Sequence, residues 1–161
     1  METLQIEKTN ALKAYKEADK PTKKLLANLF GEKNLYEKIT DRVNSIIDAC
    51  EVLGIDPTSI RPYAKPYNNR QVAINAMEEM YVIAEALQED WVADYSNKNQ
   101  KKWYVWLIWD DSLSAFRFRV ADYGCSIAHA GSGSRLSFPT KELAEHFGKI
   151  AISQYNKVLI K

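Results

Sequence analysis

The chain is predicted to be an α+β protein: N-terminal helices, then a small antiparallel β-meander packed by a long central helix and a C-terminal helix. Three observations carry this. Apolar residues recur at three-and-four spacing before residue 90 and after residue 140, as the buried stripes of amphipathic helices do. Between Trp103 and Ala121 the period switches to two, and the residues become aromatic and β-branched. Clusters of Asp, Asn, Gly, Ser and Pro punctuate these stretches where turns are needed.

The first thirty residues read as two short lysine-rich helices, Asn10 to Ala18 and a second that starts at Pro21 and stops at Gly31. Leu25, Leu26, Leu29 and Phe30 give the second an apolar stripe that needs a partner. A third helix is predicted from about Asp41 to Leu53, with Val43, Ile46, Ile47, Cys50 and Leu53 on one face and Gly54 at its end. Pro57, Pro62 and Pro66 make the following stretch an extended connector, so the expected organisation is a helical segment 1–55, a connector 56–69 and an α+β domain 70–161. The long helix, Arg70 to Glu89, has Val72 or Ala73, Ala76, Met77, Met80, Tyr81, Ala84 and Leu87 on one stripe, with Trp91 closing its end.

Trp103 to Trp109 is the first strand and Ala115 to Ala121 the second, joined at Asp110-Asp111-Ser112. Tyr123 to Ala130 and Ser134 to Phe138 are expected as a third and fourth strand around the loop Gly131-Ser132-Gly133-Ser134-Arg135. Pro139-Thr140 then starts the last helix, Lys141 to about Val158, with Leu143, Phe147, Ile150, Ala151, Gln154 or Tyr155, and Val158 on its stripe.

With 161 residues the chain can bury a core, and a formal charge of +1 argues against a general nucleic-acid coat. No run reaches a membrane span and the N-terminus lacks a secretory pattern, so a cytoplasmic protein is expected, with no membrane partner. Cys50 and Cys125 have no metal-like spacing and read as reduced, unreactive thiols. His129 and His146 form no metal motif, and His146 is expected on an exposed face. Lysines such as Lys23, Lys24, Lys101 and Lys102 are expected to be solvated. No nucleophile elbow or carboxylate constellation is present in the sequence, so neither an enzyme nor a cofactor or metal site is expected.

What remains is the stretch from Trp103 to Phe138. Phe116, Phe118 and Val120 alternate with Arg117 and Arg119, which puts the guanidinium groups on the face opposite the core. Rings stack on a base and arginine binds phosphate bidentately, so this face suits a planar anionic ligand. The bland reading, rings in a sheet core and arginines lying on surface rings, stands beside it. The candidate ligand-binding residues are Trp103, Tyr104, Trp106 and Trp109 for stacking, Arg117, Arg119 and Arg135 for phosphate, and Ser132 and Ser134 in a loop rich in backbone donors.

Several short pieces resemble a group of small proteins encoded by phages and mobile elements of Bacteroidetes-type bacteria. They are Lys23-Lys24-Leu25-Leu26 with Leu29-Phe30-Gly31; Ile39-Thr40-Asp41-Arg42-Val43 with Asp48-Ala49-Cys50 and Leu53-Gly54-Ile55; Lys102-Trp103-Tyr104-Val105-Trp106; and Gly133-Ser134-Arg135-Leu136 with Lys141-Glu142-Leu143-Ala144-Glu145. Where those proteins often carry Trp-Tyr-Pro-Trp, this chain has Val105. The resemblance implies a phage origin and an infected bacterial host. By analogy of design it points to signal-sequestering anti-defence proteins of the Sequestin and Lockin type. The expected function is therefore non-enzymatic sequestration of a nucleotide-derived immune signal, a cyclic nucleotide or ADP-ribose derivative, by a homo-oligomer. The alternatives are a protein–protein module that inhibits a host or phage assembly and docks through Leu25, Leu26, Leu29 and Phe30, and, less favoured, a single-strand nucleic-acid binder.

Overall fold

A computed structural model describes residues 6–35, 38–128, 133 and 135–160. They form an α+β protein of two compact units, Met1–Arg42 and Val43–Lys161. The division falls within the third predicted helix, between Arg42 and Val43.

The first unit holds α1 (Lys8–Glu17), α2 (Lys20–Phe30), a 3-10 turn (Glu32–Leu35) and α3 (Ile39–Arg42). Asp19 starts α2 by accepting the Thr22 N–H at 3.0 Å. Gly31 ends it at φ 76°, a conformation costly for any other residue, with its N–H on the Ala27 carbonyl. Ala11, Leu12 and Leu35 are buried, whereas Leu25 and Leu29 remain exposed.

The second unit begins with α4 (Ile46–Leu53). The single helix expected from Asp41 is two pieces, because Ser45 Oγ accepts the Asp48 N–H while Asp48 Oδ2 accepts the Asn44 N–H. This reciprocal cap takes the backbone groups that a continuous helix would use. The restart also changes the buried face: Val43, Ala49 and Cys50 are buried, and Ile47 is exposed.

Helix α5 (Asn69–Gln88) carries the core residues Ala76, Met80, Ile83, Ala84 and Leu87. Val72, Ala73, Met77 and Tyr81, assigned to the same stripe from sequence, are only half-buried. In their place a polar row, Gln71, Asn75 and Glu79, is buried at four-residue spacing. The Asn75 amide accepts from the Tyr63 N–H at 3.0 Å and donates to the Tyr63 carbonyl at 2.7 Å. Gln71 accepts from the Tyr67 N–H, and Glu79 accepts from Arg61 Nε at 2.7 Å and Gln154 Nε2 at 3.0 Å. The proline-rich stretch cannot satisfy its own backbone in regular structure, so the helix supplies side-chain partners for it.

Strands β1 (Lys102–Asp110) and β2 (Ala115–Gly124) form a two-stranded antiparallel hairpin, pairing from Lys102 with Gly124 to Asp110 with Ala115. The register shifts between Trp106 and Leu107, where Arg119 is the extra residue of a β-bulge. The expected meander is smaller than predicted among the described residues. Tyr123 and Gly124 belong to β2, and 125–128 form no strand; the fourth strand reduces to one antiparallel bridge, Trp103 with Phe138.

The reason lies in Lys102, which is fully buried instead of solvated. Its ammonium donates to the carbonyls of Asp94, Asn97, Gln100 and Cys125 at 2.5–3.3 Å and lies over the Tyr95 ring at 5.2 Å. The Cys125 carbonyl is thus spent on a cation and not on a neighbouring strand. One ammonium folds the 94–100 loop and ends β2, a charge-assisted use of backbone acceptors.

Helices α6 (Lys141–Ile150) and α7 (Ile152–Leu159), predicted as one, meet at Ala151. Thr140 caps α6 through the Leu143 N–H. Both helices pack on the hairpin, and α7 also packs along α5. Gly148 lets α6 sit close: a Cβ there would lie 2.5 Å from Phe118 Cδ2 and 3.0 Å from Val105 Cγ1. Phe138, Phe147 and Tyr155 stack through this layer, with ring centroids 4.9 and 5.9 Å apart. The Asn156 side chain pairs with the backbone N–H and carbonyl of Phe116 at 2.7 and 2.9 Å, covering part of the edge of β2. His146 is half-buried, with Nε2 2.6 Å from the Val43 carbonyl, and not on a bare surface as expected. Among the described residues no helix is long and apolar enough to cross a membrane.

Candidate functional site

Residues opposite one another in an antiparallel pair share a face, so the register sorts every aromatic of the hairpin. Trp103 with Tyr123, Val105 with Ala121, Leu107 with Phe118, and Trp109 with Phe116 point to the inner face, where α6 lies against Val105 and Phe118. Trp103 and Tyr123 touch at 4.8 Å between centroids, and Trp109 meets Phe116 edge-on at 5.3 Å. Tyr104 with Asp122, Trp106 with Val120, and Ile108 with Arg117 form the outer face.

On that outer face lies an open depression of about 310 Å³. Tyr104, Trp106 and Asp122 line it from the strands. Tyr123, Gly124, Ile127 and Ala128 complete it where the chain leaves β2. Trp106 is 51% exposed and Ile127 73% exposed, with Val120, the strand partner of Trp106, also exposed. Tyr104 is the floor: it is buried, its hydroxyl lies 2.9 Å from that of Tyr95, and it donates to the Ile127 carbonyl at 3.4 Å. Burial, and then the bond to Tyr95, push this hydroxyl well above the usual tyrosine range, so it stays protonated. Among the described residues that line the depression, Asp122 is the sole charged one. The Lys101 ammonium sits over the Tyr123 ring at 4.4 Å from its centroid.

The residues proposed from sequence disperse. Tyr104 and Trp106 line the depression, whereas Trp103 and Trp109 belong to the inner face. Trp109 also donates from Nε1 to Asp111 at 2.9 Å. Arg117 is bound to Asp110 at 3.1 Å, near the hairpin turn. The Asp110 carboxyl is held below the usual range, first by the Ser112 hydroxyl and further by Arg117. Arg119 is exposed at the bulge, next in sequence to Val120, the partner of Trp106. Arg135 lies over the Tyr81 ring of α5 at 5.5 Å, and its carbonyl accepts from Gln88. Ser132 and Ser134 lie outside the described residues, as does His129.

Asp122, Gly124, Ile127 and Ala128 were not singled out from the sequence. Asp122 falls opposite Tyr104 only because the bulge at Arg119 shifts the register by one; a regular hairpin turning at Asp110 would put Ala121 there. The others depend on the chain stopping its strand at Gly124, which the distant Lys102 cage imposes. Among the described residues no three His, Cys, Asp or Glu side chains gather as a metal-binding group. Both cysteines are free, and burial pushes the Cys50 thiol above its ordinary value. No protein-family model, curated protein or solved structure matches the chain.

Proposed function

We propose that the chain is a binding protein that acts through the outer face of its hairpin, with a protein segment as the partner. One observation carries this reading: Trp106, Val120 and Ile127 are exposed together around a depression from which the candidate arginines are absent among the described lining residues. Exposed aromatic and aliphatic side chains in one patch, with a concave centre, are the composition of an interface core. A depression of about 310 Å³ accepts one anchoring side chain more readily than a dinucleotide, and its Asp122 carboxylate opposes an anion. The test is partner capture from host or infected lysate with wild type, Trp106→Ala and Leu25→Asp proteins. A stoichiometric partner lost only with Trp106→Ala supports the hairpin. Loss only with Leu25→Asp moves the docking surface to α2.

The bulge keeps a second reading in view, that of a phage-encoded protein sequestering a nucleotide-derived immune signal. Arg119 is the extra residue beside the Trp106–Val120 pair and is exposed, so a guanidinium and a ring are carried by neighbouring positions of the hairpin. Titration calorimetry with cyclic dinucleotides and cyclic ADP-ribose isomers decides it. Micromolar binding abolished by Arg119→Ala would establish this reading over the first.

A further inference from the structure

The two edges of the hairpin are finished differently. On β2 the outward backbone groups are taken up at both ends: Asn156 holds the N–H and carbonyl of Phe116, and the Tyr123 N–H donates to Asp122 Oδ1 at 2.8 Å. Between them the bulge at Arg119 breaks the row, and α7 packs on this strand. Charge, a bulge and a covering helix are the devices that close a strand edge to further pairing. On β1 the backbone cover found among the described residues is Phe138, which exchanges both its hydrogen bonds with Trp103 at 2.9 Å. In an antiparallel ladder every second residue turns its N–H and C=O away from the paired strand. Trp103 does so, and by alternation so do Val105, Leu107 and Trp109. The far end agrees, because Trp109 is opposite Phe116, whose own groups point outward to Asn156. No backbone partner beyond the hairpin is found for these three among the described residues. From Trp103 to Trp109 the strand also has no charge, proline or glycine to discourage pairing.

We infer that this edge pairs with a second copy of the chain, β1 against β1, antiparallel and centred on Leu107. A row of outward donors and acceptors specifies an extended strand as the occupant, and the sequence specifies which strand. About a two-fold axis at Leu107, Val105 falls opposite the partner's Trp109, Trp106 opposite the partner's Ile108, and Leu107 opposite its own copy. Every level is apolar, two of them match an aromatic with a β-branched residue, and no like charges meet. The lengths also agree. The open stretch runs from Val105 to Trp109, between the Phe138 bridge at Trp103 and the turn after Asp110, and Leu107 is its midpoint. Trp109 is exposed and Val105 and Leu107 are half-buried, although all three lie on the face against which α6 packs, so a partner strand supplies cover that α6 leaves off. A two-fold contact uses the same patch of both copies, so it closes as a dimer and leaves no β1 edge to propagate. Pairing at the edge is independent of docking on the outer face.

The experiment is sedimentation velocity of the full wild-type chain from about 5 to about 500 µM, with amide hydrogen exchange of the ¹⁵N-labelled protein read over the same range. The expected result is a reversible monomer–dimer equilibrium with its midpoint near about 100 µM, the weak class that a small interface gives. The Val105, Leu107 and Trp109 amides should slow at least about threefold across that range, while the Phe116 amide, already bonded to Asn156, stays constant. Leu107→Lys sets two ammonium groups opposite one another across the axis and should weaken the dimer at least about tenfold. Where that variant fails to fold, exchange of the wild type decides alone. Glutathione disulfide should cross-link Leu107→Cys chains and largely spare Ile108→Cys chains, because only position 107 meets its own copy within disulfide reach. A chain still monomeric at about 500 µM overturns the pairing. So does a dimer in which those three amides exchange as in the monomer, or one that cross-links at 108 and not at 107. None of these results touches the docking reading, which the lysate capture with Trp106→Ala judges separately.

Discussion

The two faces of the hairpin are built from the same kinds of residue and are covered by different parts of the chain. The inner face holds Trp103, Val105, Leu107, Trp109, Phe116 and Phe118; the outer holds Tyr104, Trp106, Ile108 and Val120. Hydropathy does not distinguish them. What does is that α6, with Gly148 at the contact, lies on the inner face, while the outer is covered only at its Lys102–Tyr104 end, by the 94–100 and 124–128 passages. A sheet face becomes core when a helix is available to cover it, and otherwise the same side chains become a surface for something else.

Substitutions should separate the two faces, and the largest effect is expected within the covered layer. Phe147 is fully buried between Phe138 and Tyr155. Phe147→Ala should cost about 3–5 kcal/mol in chemical denaturation, with the midpoint falling and the slope unchanged. Trp106→Ala, on the other face, should cost about 1 kcal/mol or less while abolishing partner capture. Equal stability losses at the two positions would erase the distinction.

The Lys102 cage comes next. Lys102→Met keeps most of the side-chain length and removes the charge, leaving four carbonyls without this donor. About 3 kcal/mol of destabilisation is expected, with fast amide exchange appearing first in 94–100 and 124–128. Because the latter segment walls the depression, this variant should also lose binding. A smaller effect, about 1–3 kcal/mol, is expected for Gly148→Ala, whose methyl must displace Phe118 and Val105 from the helix. It should shift the resonances of inner-face residues and spare the Trp106 indole.

The weakest effect is that of acid. Asp19, Asp56, Asp94 and Asp110 all lie below the ordinary carboxylate value of 3.8, each because its carboxylate accepts hydrogen bonds from a nearby Thr or Ser. A depressed folded-state value means the unfolded chain binds the proton more tightly. The stabilisation is therefore complete above the unfolded value and is lost as pH falls below it through the folded one. Thermal unfolding followed from pH 6 downwards should be nearly flat to about pH 4 and then decline. Asp94→Asn should lower the plateau and shallow the decline, and a decline that begins near neutrality would contradict this account.

Much of the fold was legible because local rules decide it. Pro21 in the first turn of α2, Gly54, and Thr140 before Leu143 mark helix ends through effects within a few residues, whereas the equally local cap of Ser45 with Asp48 was not read and split the helix expected from Asp41. The alternation of Phe116, Arg117, Phe118 and Arg119 identified a strand, although the bulge at Arg119 interrupts the simple assignment of its two faces. The candidate site was half legible. Tyr104 and Trp106 were named for their rings, but Arg117 and Arg135 were assigned to a common ligand when their partners are Asp110 and Tyr81, the one nearby in the chain and the other far away.

The sequence by itself determined the α+β class, the positions of most helices and the hairpin, because amphipathic period, caps and turn residues act over a few neighbours. Only the tertiary structure decided that Lys102 is buried, that Gln71, Asn75 and Glu79 face the proline-rich stretch, and that Asp122 falls opposite Tyr104. Each of these depends on groups up to dozens of residues apart. A lysine reads as solvated until four carbonyls converge on it, and a carboxylate reads as isolated until the register sets it opposite Tyr104 in the depression that Trp106 also lines.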